Sequence, residues 1–182
     1  IINEQTPNWV EFGDKMKERP KEFYWFEGKR LLLRRLVNRQ QRLMVAYTET
    51  TFITNKNLYT IIAKNPDELG VILGLLNSRL ISFLYLRQIT QAVKDDFPQV
   101  TIKDILCLPY PNGKTIENRK ITLQNLIESI LSLHKQSAAA KLPDEKERLQ
   151  RQIDITDRQI DKLVYELYGL SEEEIRIVEG SS

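Results

Sequence analysis

The sequence predicts an α+β fold: a small, mostly antiparallel β-sheet with packed helices, followed by a C-terminal antiparallel helical hairpin. Two observations carry this. Between residues 30 and 64, short apolar runs alternate with polar turns, the pattern of a β-meander. In the last third, Leu123, Ile127, Ile130 and His134, and then Leu149, Ile153, Thr156, Ile160, Leu163 and Leu167, recur at spacings of 3 and 4, the seam of two long helices.

The elements follow in order. Residues 7–28 are punctuated by Pro7, Gly13, Pro20 and Gly28 and read as irregular, with the "FYWF" cluster as packing. Residues 30–37 and 42–49 are expected strands around a polar turn at 38–41. Residues 51–55 and 58–64 are two more, around the turn "KN". Their core would comprise Leu31, Leu33, Leu43, Val45, Phe52, Ile61 and Ile62. "NPDE" at 65–68 is a helix start, with Asn65 as cap and Pro66 at the first helical position. That helix carries Leu69, Ile72, Leu73 and Leu76. After "NSR" a second helix carries Leu80, Ile81, Leu84 and Tyr85. Residues 87–100 are polar and expected as loop or partial helix, and 101–111 as an extended segment pushed to that conformation by Pro109 and Pro111. Pro143 and Asp144 restart a helix after a short link, so the two long helices should pack antiparallel. Gly169 supplies a left-handed stop, and Ser171 with Glu174 forms a capping box for one more short helix. The organisation expected is a domain over 1–115 and, packed with it, the hairpin and capping helix over 116–182.

Composition narrows the function classes. At 182 residues, with 41% hydrophobic and 29% charged residues, the chain can bury a real core. No apolar run approaches the roughly 20 residues of a membrane span. One cysteine, Cys107, leaves no internal disulfide, and one histidine, His134, is too few for a zinc site. A reducing, cytoplasmic setting is the expectation. A chain that begins at Ile1 is expected to be a piece of a longer protein.

Catalytic motifs are absent: no Gly-rich dinucleotide or phosphate loop, and no G-x-S-x-G elbow. His134 falls on the helical seam and reads as packing. Cys107, among apolar residues, reads as a small buried hydrophobe. Asp14 with Glu27 and Lys29 matches the loose spacing of a metal nuclease, a match expected by chance in so charged a chain. Asp144 and Glu145 more naturally open a helix.

The charge is asymmetric. Lys29, Arg30, Arg34, Arg35, Arg39 and Arg42 cluster without an acid between them, whereas acids dominate from Asp144 to Glu179. Within "RRLVNRQQR", Arg can grip guanine, Asn or Gln can grip adenine, and Arg can also hold phosphates. The candidate DNA-binding residues are therefore Arg34, Arg35, Asn38, Arg39, Gln40, Gln41 and Arg42, with Gln91 and Lys94 as a second set. "NKN" at 55–57 is a similar polar loop. The plainer alternative is a solvated hairpin tip. Catalytic and metal-binding residues are both expected to be none.

Four segments in a fixed order carry a resemblance: "KRLLLRRLVNRQQRLMVAYTETTFITNKNLYTII", "LGVILGLLNSRLISFLYL", "FPQVTIKDILCLPYP" and "DRQIDKLVYELYGLSEEEIRIVEG". Together they resemble the TaqI-like C-terminal specificity domain of type IIG restriction-modification enzymes and adenine-N6 DNA methyltransferases. The resemblance implies a target-recognition domain without its own catalysis, which clamps double-stranded DNA against a methyltransferase domain of the same or a partner chain. It implies no cofactor in this segment. In the parent enzyme it implies S-adenosylmethionine, with Mg2+ as a further candidate. The Asn-Pro-Pro-Tyr and Gly-rich motifs of a methyltransferase core are missing here. The alternatives are a protein-interaction module that uses the hairpin seam and, behind it, the metal nuclease.

Overall fold

The computed structural model describes residue 13 and residues 22–37, 42–88, 99–111 and 113–180. A single 3-10 turn over Phe23–Phe26 buries Phe26 and leads into three strands: β1 (Arg30–Arg34), β2 (Val45–Thr48) and β3 (Leu58–Ile61). Helices α1 (Glu68–Asn77), α2 (Arg79–Gln88) and the short α3 (Ile102–Leu106) follow. Two long helices, α4 (Gly113–Ala139) and α5 (Pro143–Tyr168), and the short α6 (Glu172–Glu179) complete the chain. The fold is α+β, as expected.

The sheet is antiparallel with order β2-β1-β3. Both neighbours pair with β1: Leu33 stands opposite Val45 on one side and Tyr59 on the other. Chain order would give a meander with β2 in the middle. Instead the most apolar strand, "RLLLR", takes the centre, where its first four residues are buried. Residues 51–55 form no strand. The Phe52 N–H donates to the Phe26 carbonyl of the turn before β1 at 3.2 Å, and Phe52 and Ile62 are 40% exposed rather than core. Leu31, Leu33 and Leu43 are buried as expected.

α1 begins at Glu68, not at Asn65. The Asn65 side chain accepts from the Asp67 N–H at 3.1 Å and forms a turn ahead of the helix. Residues 102–106 are helical rather than extended, because the Thr101 hydroxyl caps the turn by accepting the Asp104 N–H at 3.2 Å. Cys107 ends this surface turn and is exposed, which corrects its reading as a buried hydrophobe.

α4 and α5 form the expected hairpin. Arg119 near the start of α4 reaches Glu166 near the end of α5 at 3.1 Å, so the helices run antiparallel. Leu123, Ile127, Leu149, Ile153, Thr156, Ile160, Leu163 and Leu167 are buried in the seam. Thr156 is tolerated there because its hydroxyl donates to the Gln152 carbonyl at 2.9 Å. His134 is exposed. After Ile130 the half-buried or buried positions are Leu131, Leu133, Ser137 and Ala140, so the seam passes from Ile130 to Leu133 by a step of three and leaves His134 outside it. Gly169 adopts φ 67°, the left-handed stop, and the Ser171–Glu174 capping box starts α6. The main core joins Leu31 of the sheet to Leu69, Leu73 and Leu75 of α1 and to Leu123, Ile127, Ile160 and Val164 of the hairpin.

No single helix among the described residues is long and apolar enough to cross a membrane. α1 and α2 pass that test only as a pair bent by 61°, and Leu69, Val71, Leu73, Leu80 and Ile81 of that pair are core residues.

Candidate nucleic-acid interface

The bend between α1 and α2 is a polar junction, "NSR" at 77–79. Ser78 takes an extended backbone and breaks the helix, and its hydroxyl donates to the Leu75 carbonyl at 2.7 Å and accepts the Ile81 N–H at 3.2 Å. One buried side chain thus serves both helix ends. Asn77 turns to the sheet: its Oδ1 accepts the Val45 N–H and its Nδ2 donates to the Val45 carbonyl, both at 2.9 Å. Ser82 accepts the Leu43 N–H at 3.1 Å. At the start of β2, the outward backbone groups of Val45, which would otherwise be unpaired, are thus taken up by Asn77.

Asp161 of α5 holds the junction from beneath. Its Oδ1 accepts the Arg79 N–H at 2.8 Å, and its Oδ2 lies 3.2 Å from Arg79 Nε. Arg42, just ahead of β2, reaches Asp157 at 2.8 Å and Asp161 at 3.6 Å and donates to the Asn77 carbonyl. The Asp161 side chain is 4% exposed. Desolvation pushes its carboxyl above the ordinary value, against the opposing pull of the Arg79 N–H and the charges of Arg42 and Arg79.

On the β3 side of the same end of the sheet stands Arg35. Its N–H donates to the Asn57 carbonyl at 2.9 Å, and its carbonyl accepts the Val100 N–H at 2.7 Å. Its guanidinium donates to Gln99 Oε1 at 3.1 Å and lies 5.9 Å from the centre of the Tyr59 ring. Leu36 bridges to Gln99, which extends β1 toward residues 99–100. The Asn55–Asn57 turn is set by its own Asn55 side chain, which accepts the Asn57 N–H at 3.0 Å. Arg35 Nε is buried and meets no acceptor among the described residues.

The described flanks of three polar segments named from the sequence therefore meet at one place. Residues 38–41 leave from Val37 and return at Arg42. The 87–100 segment returns at Gln99. The "NKN" turn is bonded directly to Arg35. Beside this end lies a largely apolar cleft of about 1150 Å3, bordered by Arg35, Lys56, Tyr59, Ile105, Leu106 and Tyr110.

The sequence-nominated residues divide. Arg34 is exposed at the end of β1, and the only polar atom its guanidinium meets among the described residues is the Met44 sulfur at 3.7 Å. Arg35 is half-buried at the loop convergence. Arg42 is tied to two aspartates rather than offered outward. Asn38, Arg39, Gln40, Gln41, Gln91 and Lys94 lie outside the described residues. Arg30, counted in the basic cluster, is fully buried. It donates to the Gly28 and Thr50 carbonyls at 3.0 and 2.8 Å and covers the Phe52 ring. Asp14 of the nuclease spacing also lies outside the described residues, and Glu27 and Lys29 are exposed. Among the described residues no three His, Cys, Asp or Glu side chains gather as a metal site. Sequence reasoning did not anticipate Asn77, Ser82, Asp161, Tyr59 or Gln99. The one signal for Asn77 was a polar "NSR" interrupting two apolar helical runs.

Comparison with known proteins shows the family. The family model of the TaqI-like C-terminal specificity domain matches residues 3–110. A protein of Methanocaldococcus jannaschii, provisionally described as a type II restriction enzyme and methyltransferase, is 31% identical over 147 residues, which cover 68% of this chain and 12% of that protein. The chain thus spans about an eighth of the length of that relative.

Proposed function

Because the chain belongs to the TaqI-like C-terminal specificity domain family, we propose that it reads DNA sequence for an attached adenine-N6 methyltransferase or endonuclease and performs no catalysis itself. The observation that carries this is the meeting at Arg35 of Asn57, of Gln99 and Val100, and of the strand end that leads into residues 38–41, beside the exposed Arg34. Base readout needs Arg, Asn and Gln side chains presented together from a rigid support, and phosphate contacts fix the register. β1 is the central strand and supplies that support. Arg34, Arg35, Asn38, Arg39, Gln40 and Gln41 form the proposed reading set, with Gln91 and Lys94 beside them. Arg42 enters as the anchor of the hairpin.

The partners proposed are double-stranded DNA and a methyltransferase domain of the same or another chain. S-adenosylmethionine, and Mg2+ if a nuclease is attached, would be held by those parts. The relative's description as a restriction enzyme and methyltransferase supports this assignment.

The test is selection from a duplex library with a randomised centre, using the full-length protein and its Arg35→Ala variant. Enrichment of a defined motif by the wild type, degraded in the variant, supports the reading. Uniform recovery of all duplexes by the wild type contradicts it.

The hairpin-seam interaction module has less support, since the seam residues are buried within the chain. Sedimentation at several concentrations checks it: self-association that disappears when seam residues are changed would revive it.

A further inference from the structure

Asp161 is a buried carboxylate with two cationic neighbours in a place where apolar packing would serve stability as well. Buried ion pairs do little for stability compared with apolar residues of the same volume, and their best-attested use is to fix registry. The surroundings show what is registered. Asp161 holds the α1–α2 junction through the Arg79 N–H at 2.8 Å, and Arg42, at the start of the returning hairpin arm, lies 3.6 Å from the same oxygen. Asp157, one turn earlier on α5, binds Arg42 at 2.8 Å. The junction in turn grips the next residues of that arm, Leu43 through Ser82 and Val45 through Asn77. Met44, between them, accepts the Arg34 N–H at 2.9 Å. A continuous set of contacts therefore runs from α5 to the backbone that presents Arg34.

We infer that Asp161, acting through Arg42 and the α1–α2 junction, is a positioning residue that sets the placement of the Arg34–Met44 hairpin end and thereby base selection rather than DNA affinity. This rests on the reading of the chain as a DNA-specificity domain. Affinity for DNA of any sequence comes from phosphate contacts and tolerates small displacements of flexible cations. Discrimination between bases depends on bidentate geometry and does not. Loosening the anchor should separate the two.

The experiment compares the full-length wild type with Asp161→Asn and Asp157→Asn in the same duplex selection. Binding to a random-sequence duplex is titrated at several salt concentrations, and amide exchange is followed at Leu43 and Val45. Expected are faster exchange at both amides and a degenerate selected motif. Preference for the selected duplex over random duplex should fall about tenfold, the order of one mismatched base pair. Random-duplex affinity and its salt slope stay unchanged. An intact motif despite faster exchange overturns the inference while leaving the proposed function standing. An equal loss on every duplex overturns it too, since the anchor would then serve affinity. If the wild type selects no motif, the underlying reading falls with it, and that result is visible before any variant is compared. Should Asp161→Asn not fold, Asp157→Asn decides by the same readouts, because its side chain is 33% exposed and its loss leaves Asp161 in place.

Discussion

Gly74 of α1 faces Ile127 of α4 so closely that a β-carbon on it would stand 3.0 Å from Ile127 Cδ1 and 3.1 Å from Leu123 Cδ1. The sheet-bearing half and the hairpin meet at a residue with no side chain. Gly74→Ala gains about 1 kcal/mol of helix propensity. It meets overpacking of about 1–3 kcal/mol. A net loss of about 1 kcal/mol is expected for alanine and about 3 kcal/mol for valine, which adds two further methyl groups. Urea unfolding checks the order. A stabilised valine variant would mean that the two helices separate freely.

Within the same contact, Leu123 is fully buried and Ile121 is 73% exposed, although they sit two residues apart on α4. Leu123→Ala is expected to lose about 2–5 kcal/mol. Ile121→Ala should stay within about 0.5 kcal/mol. Similar losses at both positions in thermal or chemical unfolding would contradict the seam assignment.

Two carboxyls titrate with opposite sign. Burial raises Asp161 above its ordinary value of 3.8, so the folded chain holds that proton more tightly than the unfolded one. Its contribution to stability is fully present below 3.8 and declines as pH rises through the raised value. Glu174 is lowered below 4.5 by the Ser171 backbone and side-chain hydrogen bonds, so its capping contribution is present above 4.5 and is lost as pH falls. Urea midpoints of the wild type minus those of Asp161→Asn should therefore fall between pH 4 and neutrality. The difference against Glu174→Gln should be level above 4.5 and shrink as pH falls below it. A reversed slope in either series would show that the assigned cause does not dominate.

Asn77→Ala leaves both backbone groups of Val45 without their partner. Each unsatisfied group costs about 1–3 kcal/mol if water does not reach it. Because β2 is half-exposed, a loss near the lower end is expected, accompanied by faster exchange of the Val45 amide. No change in that amide would contradict the edge pairing.

In DNA binding, Arg35→Ala, Arg39→Ala or Gln41→Ala should each cost about 1–3 kcal/mol and relax selection at one position if the residue reads a base. A loss that is uniform over sequences, with a salt slope smaller by about 1, would reassign the residue to phosphate. No loss on any duplex would remove it from the reading set.

What the sequence made legible was what local rules decide. The seam from Leu149 to Leu167, the stop at Gly169 and the Ser171–Glu174 box follow from spacing and caps, and they appear where expected. Three of four strands were found, because alternation within 30–61 is a local signal. The order β2-β1-β3 was not, since strand position depends on what covers each face. The basic cluster was overcounted for the same reason. Burial of Arg30 and pairing of Arg42 with α5, 115 residues away, are tertiary facts that composition cannot express. Cys107 and His134 failed as buried residues because each stands one step past a boundary: the end of a short surface helix, and a seam that had shifted by one residue.

The bonds that brace the start of β2 have a consequence for how such a protein changes over generations. Among the described residues, the bonds that fix Arg35, Leu43 and Val45 are made by main-chain atoms and by the side chains of Asn77, Ser82 and Gln99. These side chains belong to the two ends of the α1–α2 bend and to residue 99, so a substitution at any of them is judged by folding as well as by preference.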